Sequence, residues 1–410
     1  MNKLVLRIFS VLFPFYPLLA YALHFVTDKP FNFIVNIALI PVAIICLGKA
    51  RKGLPMYVLF FFLFTVFHLV SSFINNTIPA DTNRIYYIFA DENLLACTFF
   101  VIVESTVFPE KFMDRLTKNI FIIVVITLIV SVIQIKAPTF MFNTKLLEGD
   151  QLEFWGDEIR NNSIYSFITT NSIGITFPFL VAILLNYYST KQIQFPIIIL
   201  SGIIVAFLSK SRYVMISAII AISQLFFTSS RTFANKLSML VIFASCIYLA
   251  ILGAEESGFD LNKIIEERIL EKDTDLGSAK SRVLSYDVFL MKYPEHPWLG
   301  VGPKTRPDVI TLLQGETPVI HVGYLCYLYY YGAVGCFFLF TAIGLMLKRA
   351  WTVGKKFSFW GAFFGLVAMC MANFTLVYFA FAEMGVVVAM IYLRYYKLQE
   401  ESEKTTIRAV

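Results

Sequence analysis

The sequence predicts an all-α fold, a polytopic membrane helical bundle of about twelve transmembrane helices with one large outer loop. Three observations predict it. Of 410 residues, 58% are hydrophobic, 16% aromatic and only 15% charged, and the mean hydropathy is +0.71, against roughly a quarter charged in a soluble domain. Apolar runs of roughly 17 to 25 residues recur along the chain, each long enough to cross a hydrocarbon core of about 30 Å. The alternating apolar and polar segments of a membrane barrel are absent, so helices are the spanning element.

The first run, "LVLRIFSVLFPFYPLLAYALHFV", follows Lys3. It is long and has no small-residue cleavage site, so it is expected to remain as the first span rather than leave as a signal peptide. The twelve expected spans are 4–26, 31–47, 55–75, 84–104, 117–135, 164–188, 193–209, 211–228, 236–253, 319–347, 357–374 and 376–394. They divide the chain into helices one to nine (1–253), an outer loop (254–318), helices ten to twelve (319–394) and a tail (395–410).

Lysines and arginines in the short loops set the orientation. "KARK" at 49–52, Lys111, Arg115, Lys118, Lys191, Arg231, Lys236, "KR" at 348–349 and "KK" at 355–356 all fall on one side. The positive-inside bias makes that side cytoplasmic, with both termini on it. The same bias accounts for the net charge of +6; the basic residues are scattered, which argues against nucleic acid. The six cysteines sit in apolar segments without CxxC spacing and read as small core residues rather than disulfides or metal ligands. The two matched halves expected of a secondary transporter are missing.

The outer loop splits by charge. Residues 254–275 carry eight acids against three bases, whereas 276–318 carry four against five. The later half, "LGSAKSRVLSYDVFLMKYPEHPWLGVGPKTR", reads as an amphipathic helix followed by a Pro- and Gly-rich turn. Val283, Leu284, Val288, Phe289 and Met291 are expected to lie against the membrane surface or the bundle.

Within this frame "LSKSRYVMISAII", residues 208–220, stands out, because its turn is on the outer side, where the charge bias does not favour two cations. Arg212 offers a planar fork of donors suited to phosphate and cannot be neutralised, whereas an interfacial arginine reaching lipid headgroups is the plainer alternative. Lys210 is a lesser electrostatic helper, and Arg282, at the start of the amphipathic segment, has free backbone amides beside it for an anion. His321, at the outer mouth of the tenth span, has an unperturbed pKa of about 6.5, suited to a general base. His296 reads as a loop residue. Tyr324, Tyr327, Tyr329, Tyr330 and Tyr331 read mainly as an interfacial aromatic belt, with one or two free to stack on sugar. Asp91, Glu92 and Glu383 are acids at membrane depth, read either as a relay or ion site, or as markers of a helix break or a buried arginine partner.

Together these pieces resemble a family. "SKSR" at the outer end of a helix pair, "SR" ahead of the amphipathic helix, "PWLGVG", and "HVGYL" with "YYYGAVG" opening the next span are similar to the O-antigen polymerase and O-antigen ligase family, over about residues 200–340. The resemblance implies a polytopic membrane glycosyltransferase that moves a glycan from an undecaprenyl diphosphate carrier to a glycan acceptor at the periplasmic face, with no cofactor and no required metal. It implies that Arg212 and Arg282, helped by Lys210, hold the diphosphate, that His321 activates the acceptor hydroxyl, and that Tyr324 belongs to the substrate site. Surrounding membrane lipid and a chain-length regulator protein are the implied partners. Val322 departs from the family pattern, which often carries asparagine after the histidine. Polymerisation of lipid-linked repeats is the expected activity, with transfer of the finished chain to lipid A core as the alternative, and a flippase or secondary transporter as the reading from another class.

Overall fold

The computed structural model describes residues 2–23, 25–27, 31–48, 53–78, 83–141, 161–165, 171–188, 193–209, 211–228, 278–313, 319–374, 379 and 381–409. Among them the fold is all-helical, with no strand. The expected ninth span, Lys210 and the acidic half of the outer loop lie outside the described residues.

The first span, Lys3–Leu23, is α1 (Asn2–Arg7) and α2 (Tyr16–Leu23), joined by a π turn at Ile8–Leu12 and a 3-10 turn at Phe13–Phe15. Pro14 lies at that junction, where its missing N–H cannot continue the α-helical ladder. Next come α3 (Phe31–Leu47), α4 (Met56–Ile74), the pair α5 (Arg84–Ala90) and α6 (Glu92–Glu104), and α7 (Glu110–Ile133). After these follow α8 (Asn171–Tyr187), α9 (Gln194–Leu208), α10 (Arg212–Ser223) and α11 (Leu225–Thr228). Ahead of the last three helices come α12 (Ser278–Lys292) and α13 (Pro307–Leu312). The chain ends with α14 (Gly323–Phe357), α15 (Gly361–Ala372) and α16 (Met384–Ala409).

By length and composition, four described helices can cross a membrane: Lys3–Leu23, α4, α7 and α14. The bent pair α5 and α6 makes a fifth. This is fewer than the twelve expected, because Asn32–Leu47, Ile173–Tyr187, Gln194–Leu208, Tyr213–Phe227 and Gly361–Ala372 are apolar but shorter. Hydropathy does not separate a helix facing lipid from one enclosed by protein, and α8 is of the second kind: from Ile173 to Leu185 it is buried all round. The start of α16, Met384 to Leu393, is enclosed in the same way, and the helix continues through the expected tail.

The intramembrane acids mark breaks. Asp91 ends α5 and caps α6, its Oδ1 accepting from the Leu94 amide at 2.8 Å, and the two helices bend by 51° there. Buried Asn36 donates to the carbonyls of Phe89 and Asp91 at 2.9 and 3.1 Å, supplying partners near the bend. Glu92 opens α6, and Glu383 immediately precedes α16. All three acids therefore sit at helix amino termini, where the backbone dipole favours negative charge.

Candidate functional site

The site is built around a second break. Gly332 lies inside α14 with φ 59° and ψ −168°, a conformation that interrupts the helix and suits glycine. A continuous helix would bond the amides of Ala333 and Val334 to the carbonyls of Tyr329 and Tyr330. Instead the loop "PWLGVG" takes all four groups. Val301 and Gly302 amides donate to Tyr329 and Tyr330 carbonyls at 3.1 and 2.9 Å, while Ala333 and Val334 amides donate to Pro297 and Trp298 carbonyls at 2.8 and 3.0 Å. The approach is so close that a Cβ on Gly300 would strike the Tyr330 carbonyl, and one on Gly332 the Trp298 carbonyl. Thus the two glycine motifs read separately in the sequence are halves of one interlock.

This interlock seats a small apolar unit on the bundle. Val288 and Phe289 of α12 pack with Val301, Val309, Leu313, Ile320, Cys326 and Tyr329. The apolar residues of α12 divide between two faces: Val288 and Phe289 turn inward, whereas Val283 and Met291 are exposed. Lys292 Nζ bridges to Asp308 at 2.9 Å and Glu295 at 3.1 Å, tying α12 to α13. The hydrogen bond from Lys292 holds the Asp308 carboxyl below its ordinary pKa, and the same bond, with that to Glu295, raises Lys292.

His321 sits just ahead of α14, and its amide donates to Ser285 Oγ at 2.8 Å. Ser285 is fully buried and lies one turn after Arg282 on α12, so the two share a helix face. The backbone at His321 is thereby fixed against the helix that carries Arg282. Arg212 is the first residue of α10. The adjoining Tyr213 packs on Gly174 near the start of α8, and Ser217 Oγ bonds the Ala368 carbonyl. The Arg212 side chain lies outside the described residues. Tyr324 turns into the bundle, donating to the Cys370 carbonyl at 2.7 Å with its ring against Phe340, Phe374 and Phe379.

Sequence similarity meets the geometry at this point. Residues 197–340 match the O-antigen ligase family model. The stretch is 144 of 410 residues (340 − 197 + 1) and is consistent with the O-antigen polymerase and ligase family. It contains Arg212, Arg282, His321, Tyr324 and both glycines of the interlock. Members of the O-antigen ligase family are membrane glycosyltransferase-like enzymes, and the apolar helices here accord with a multi-pass membrane protein of that kind. No curated protein matches the chain.

Beneath the matched segment lie contacts that the sequence does not show. The tyrosines of α14 are not an interfacial belt: Tyr329 and Tyr331 are buried, Tyr330 pairs with Thr305 at 2.8 Å, and Tyr331 meets His68 Nδ1 at 2.8 Å. His68 Nε2 faces Asp91 Oδ2 at 2.8 Å. A histidine within the apolar run of α4 was the available signal for this contact. His296 accepts from Arg306 Nη1 at 3.1 Å and is a loop residue, as expected. Ser285 carried no signal, because a serine on an amphipathic helix is ordinary.

Proposed function

We propose that the protein polymerises undecaprenyl-diphosphate-linked oligosaccharide repeats at the periplasmic face of the inner membrane. In this reading the acceptor hydroxyl attacks the anomeric carbon of the carrier-linked glycan. The new C–O bond forms as the bond to diphosphate breaks, with inversion. His321 takes the hydroxyl proton, and the diphosphate leaves with the bonding electron pair. Arg282 and Arg212, helped by Lys210, stabilise the charge that develops on it, which is the task of preorganised cationic donors in a site shielded from water. What carries the reading is the Ser285 hydrogen bond, which joins the segment beginning at His321 to the helix bearing Arg282, inside the stretch matching O-antigen ligase.

A deletion strain complemented with variants tests it. The deletion is expected to leave single repeats on lipid A core. Wild type restores long ladders on a lipopolysaccharide gel, whereas Arg212→Ala, Arg282→Ala and His321→Ala do not, although each protein still inserts. Normal ladders from both arginine variants would remove the diphosphate role. The description of the family model favours a second reading, ligation of finished chains; bare core with carrier-linked polymer in the deletion strain would select it.

A further inference from the structure

The segment between His321 and Gly332 has an unusual mechanical position. Residues 323–331 form a half-helix cut off from the rest of α14 by the break, and helices shorter than about 12 residues do not hold their shape alone. Tertiary contacts must therefore set its tilt and rotation. From above, Ser285 holds His321, and the "PWLGVG" loop holds the carbonyls of Tyr329 and Tyr330. Both contacts belong to the small unit of α12 and α13. Into the bundle run the Tyr324 bond to Cys370 and, at the lower end, Tyr331.

Tyr331 stands among rings: Phe64 lies edge-on with centroids 5.2 Å apart, and Tyr327 is 5.6 Å away. Ring packing is permissive about rotation, whereas a hydrogen bond is directional. Asp91 Oδ1 is occupied by the Leu94 amide, so Oδ2 is the oxygen that faces His68 Nε2. His68 Nε2 lies 2.8 Å from that oxygen as a close electrostatic contact off the hydrogen-bond direction, whereas His68 Nδ1 and the Tyr331 hydroxyl are hydrogen-bonded at 2.8 Å. The chain Asp91–His68–Tyr331 thus joins one close electrostatic contact to one directional hydrogen bond, and Asp91 sits at the amino terminus of α6, where the dipole favours negative charge. The His68 and Asp91 side chains are each 8% exposed. Replacing such a network by apolar groups often costs little stability, so its best-attested use is to fix one geometry.

We infer that Asp91, His68 and Tyr331 are positioning residues for the transfer reaction: the relay ties the break in α14 to the break between α5 and α6 and thereby orients the half-helix that begins at His321. The reaction half of this statement rests on the proposed role of His321; the orienting half does not.

Tyr331→Phe keeps the ring and removes the hydroxyl, and His68→Gln shortens the link from the other side. The full chain in lipid nanodiscs is followed by amide hydrogen exchange and by turnover of carrier-linked glycan. In both variants exchange across 323–331 should accelerate about tenfold, with 339–353 unchanged. Turnover should fall as much as about 100-fold, with the donor KM within about twofold. In a His321→Ala background, Tyr331→Phe should cost nothing further. Unchanged exchange over 323–331 in both variants overturns the inference. So does a rise in KM with kcat intact, or rate losses that multiply with His321→Ala. If Tyr331→Phe fails to accumulate, His68→Gln decides by the same measures. Should wild type transfer no glycan, the exchange data still judge the orienting role, and the proposed function falls by itself.

Discussion

The two ends of α14 are held in opposite ways. Near His321 the backbone is broken, and backbone groups freed by the break are bonded to a loop through two glycines. Toward Lys355 the helix is regular and charge does the holding. Arg349 Nη1 donates to Glu104 Oε1 at 2.6 Å, the Tyr57 hydroxyl donates to the same oxygen at 2.8 Å, and Arg394 Nη1 lies 3.9 Å from Oε2. Irregular backbone at membrane depth is tolerated only where protein or a water-filled cavity meets it. In this chain the break in α14, at the end that carries the proposed chemistry, is met by "PWLGVG", and the break between α5 and α6 is met by Asn36. The regular end needs no such provision and can spend its polar groups on clamping α4, α6, α14 and α16 together.

The sharpest way to break the contrast uses two glycines of the same helix. Gly332→Ala puts a Cβ against the Trp298 backbone at φ +59° and ψ −168°, a conformation essentially confined to glycine that costs an L-residue on the order of 1–3 kcal/mol before any clash. The obstacle is backbone held by four hydrogen bonds, so relief means dismantling the interlock, and the total loss should be on the order of 5 kcal/mol. Thermal unfolding in detergent and loss of long ladders would register it. Gly344, in the regular half, has open space around it, so Gly344→Ala should gain about 0.5–1 kcal/mol of helix propensity and leave ladders intact. Equal effects of the two substitutions would dissolve the distinction between the ends.

At the other end, Glu104→Gln leaves two arginines without their counter-ion. The Glu104 side chain is 1% exposed and that of Arg349 12%, so the expected loss is about 3 kcal/mol. The remaining folded protein should keep its wild-type turnover, because no proposed catalytic group touches this network. A thermal shift accompanied by normal kcat supports a clamp. A kcat that falls with unchanged stability would mean that the charged end communicates with the mouth.

How much of this was legible in the sequence follows the same divide. The apolar runs fixed helix positions well, including the turn between α9 and α10, because periodicity and Lys or Arg punctuation are local signals. Enclosure was not legible: the residues of α8 read as a span like the others, although protein surrounds them. The acids Asp91, Glu92 and Glu383 are visible as anomalies, but a hydropathy window averages across a break, so the sequence places them inside spans instead of at helix starts. For the candidate site, Arg282 and His321 stand out in the sequence through the family resemblance, whereas the link through Ser285 depends on a contact 36 residues apart in sequence. The interlock shows the limit most clearly. "PWLGVG" and "YYYGAVG" were both noticed, and only the fold reveals that each supplies the hydrogen-bond partners the other lacks.

The smallest expected effect concerns the small unit of α12 and α13, where a surface ion pair supplements the backbone interlock. Asp308 has a depressed pKa, so its contribution is present above the ordinary carboxylate range and is lost as pH falls through its folded value. Lys292 has a raised pKa, so its contribution is whole below the ordinary lysine range and is lost only as pH rises through its folded value. The link between α12 and α13 should consequently be flat between about pH 5 and pH 9 and weaken in acid. Asp308→Asn should speed amide exchange in 278–292 slightly at neutral pH, and the difference from wild type should shrink as pH falls through the depressed folded pKa of Asp308 and vanish once the wild-type carboxyl is protonated as well. Glu295 continues to pair with Lys292 in that variant at neutral pH, which keeps the change small. A difference that persists in acid would show that Asp308 acts through the start of α13 rather than through its charge. In that case the small unit, like the broken end of α14, would be held by its backbone and not by its ions.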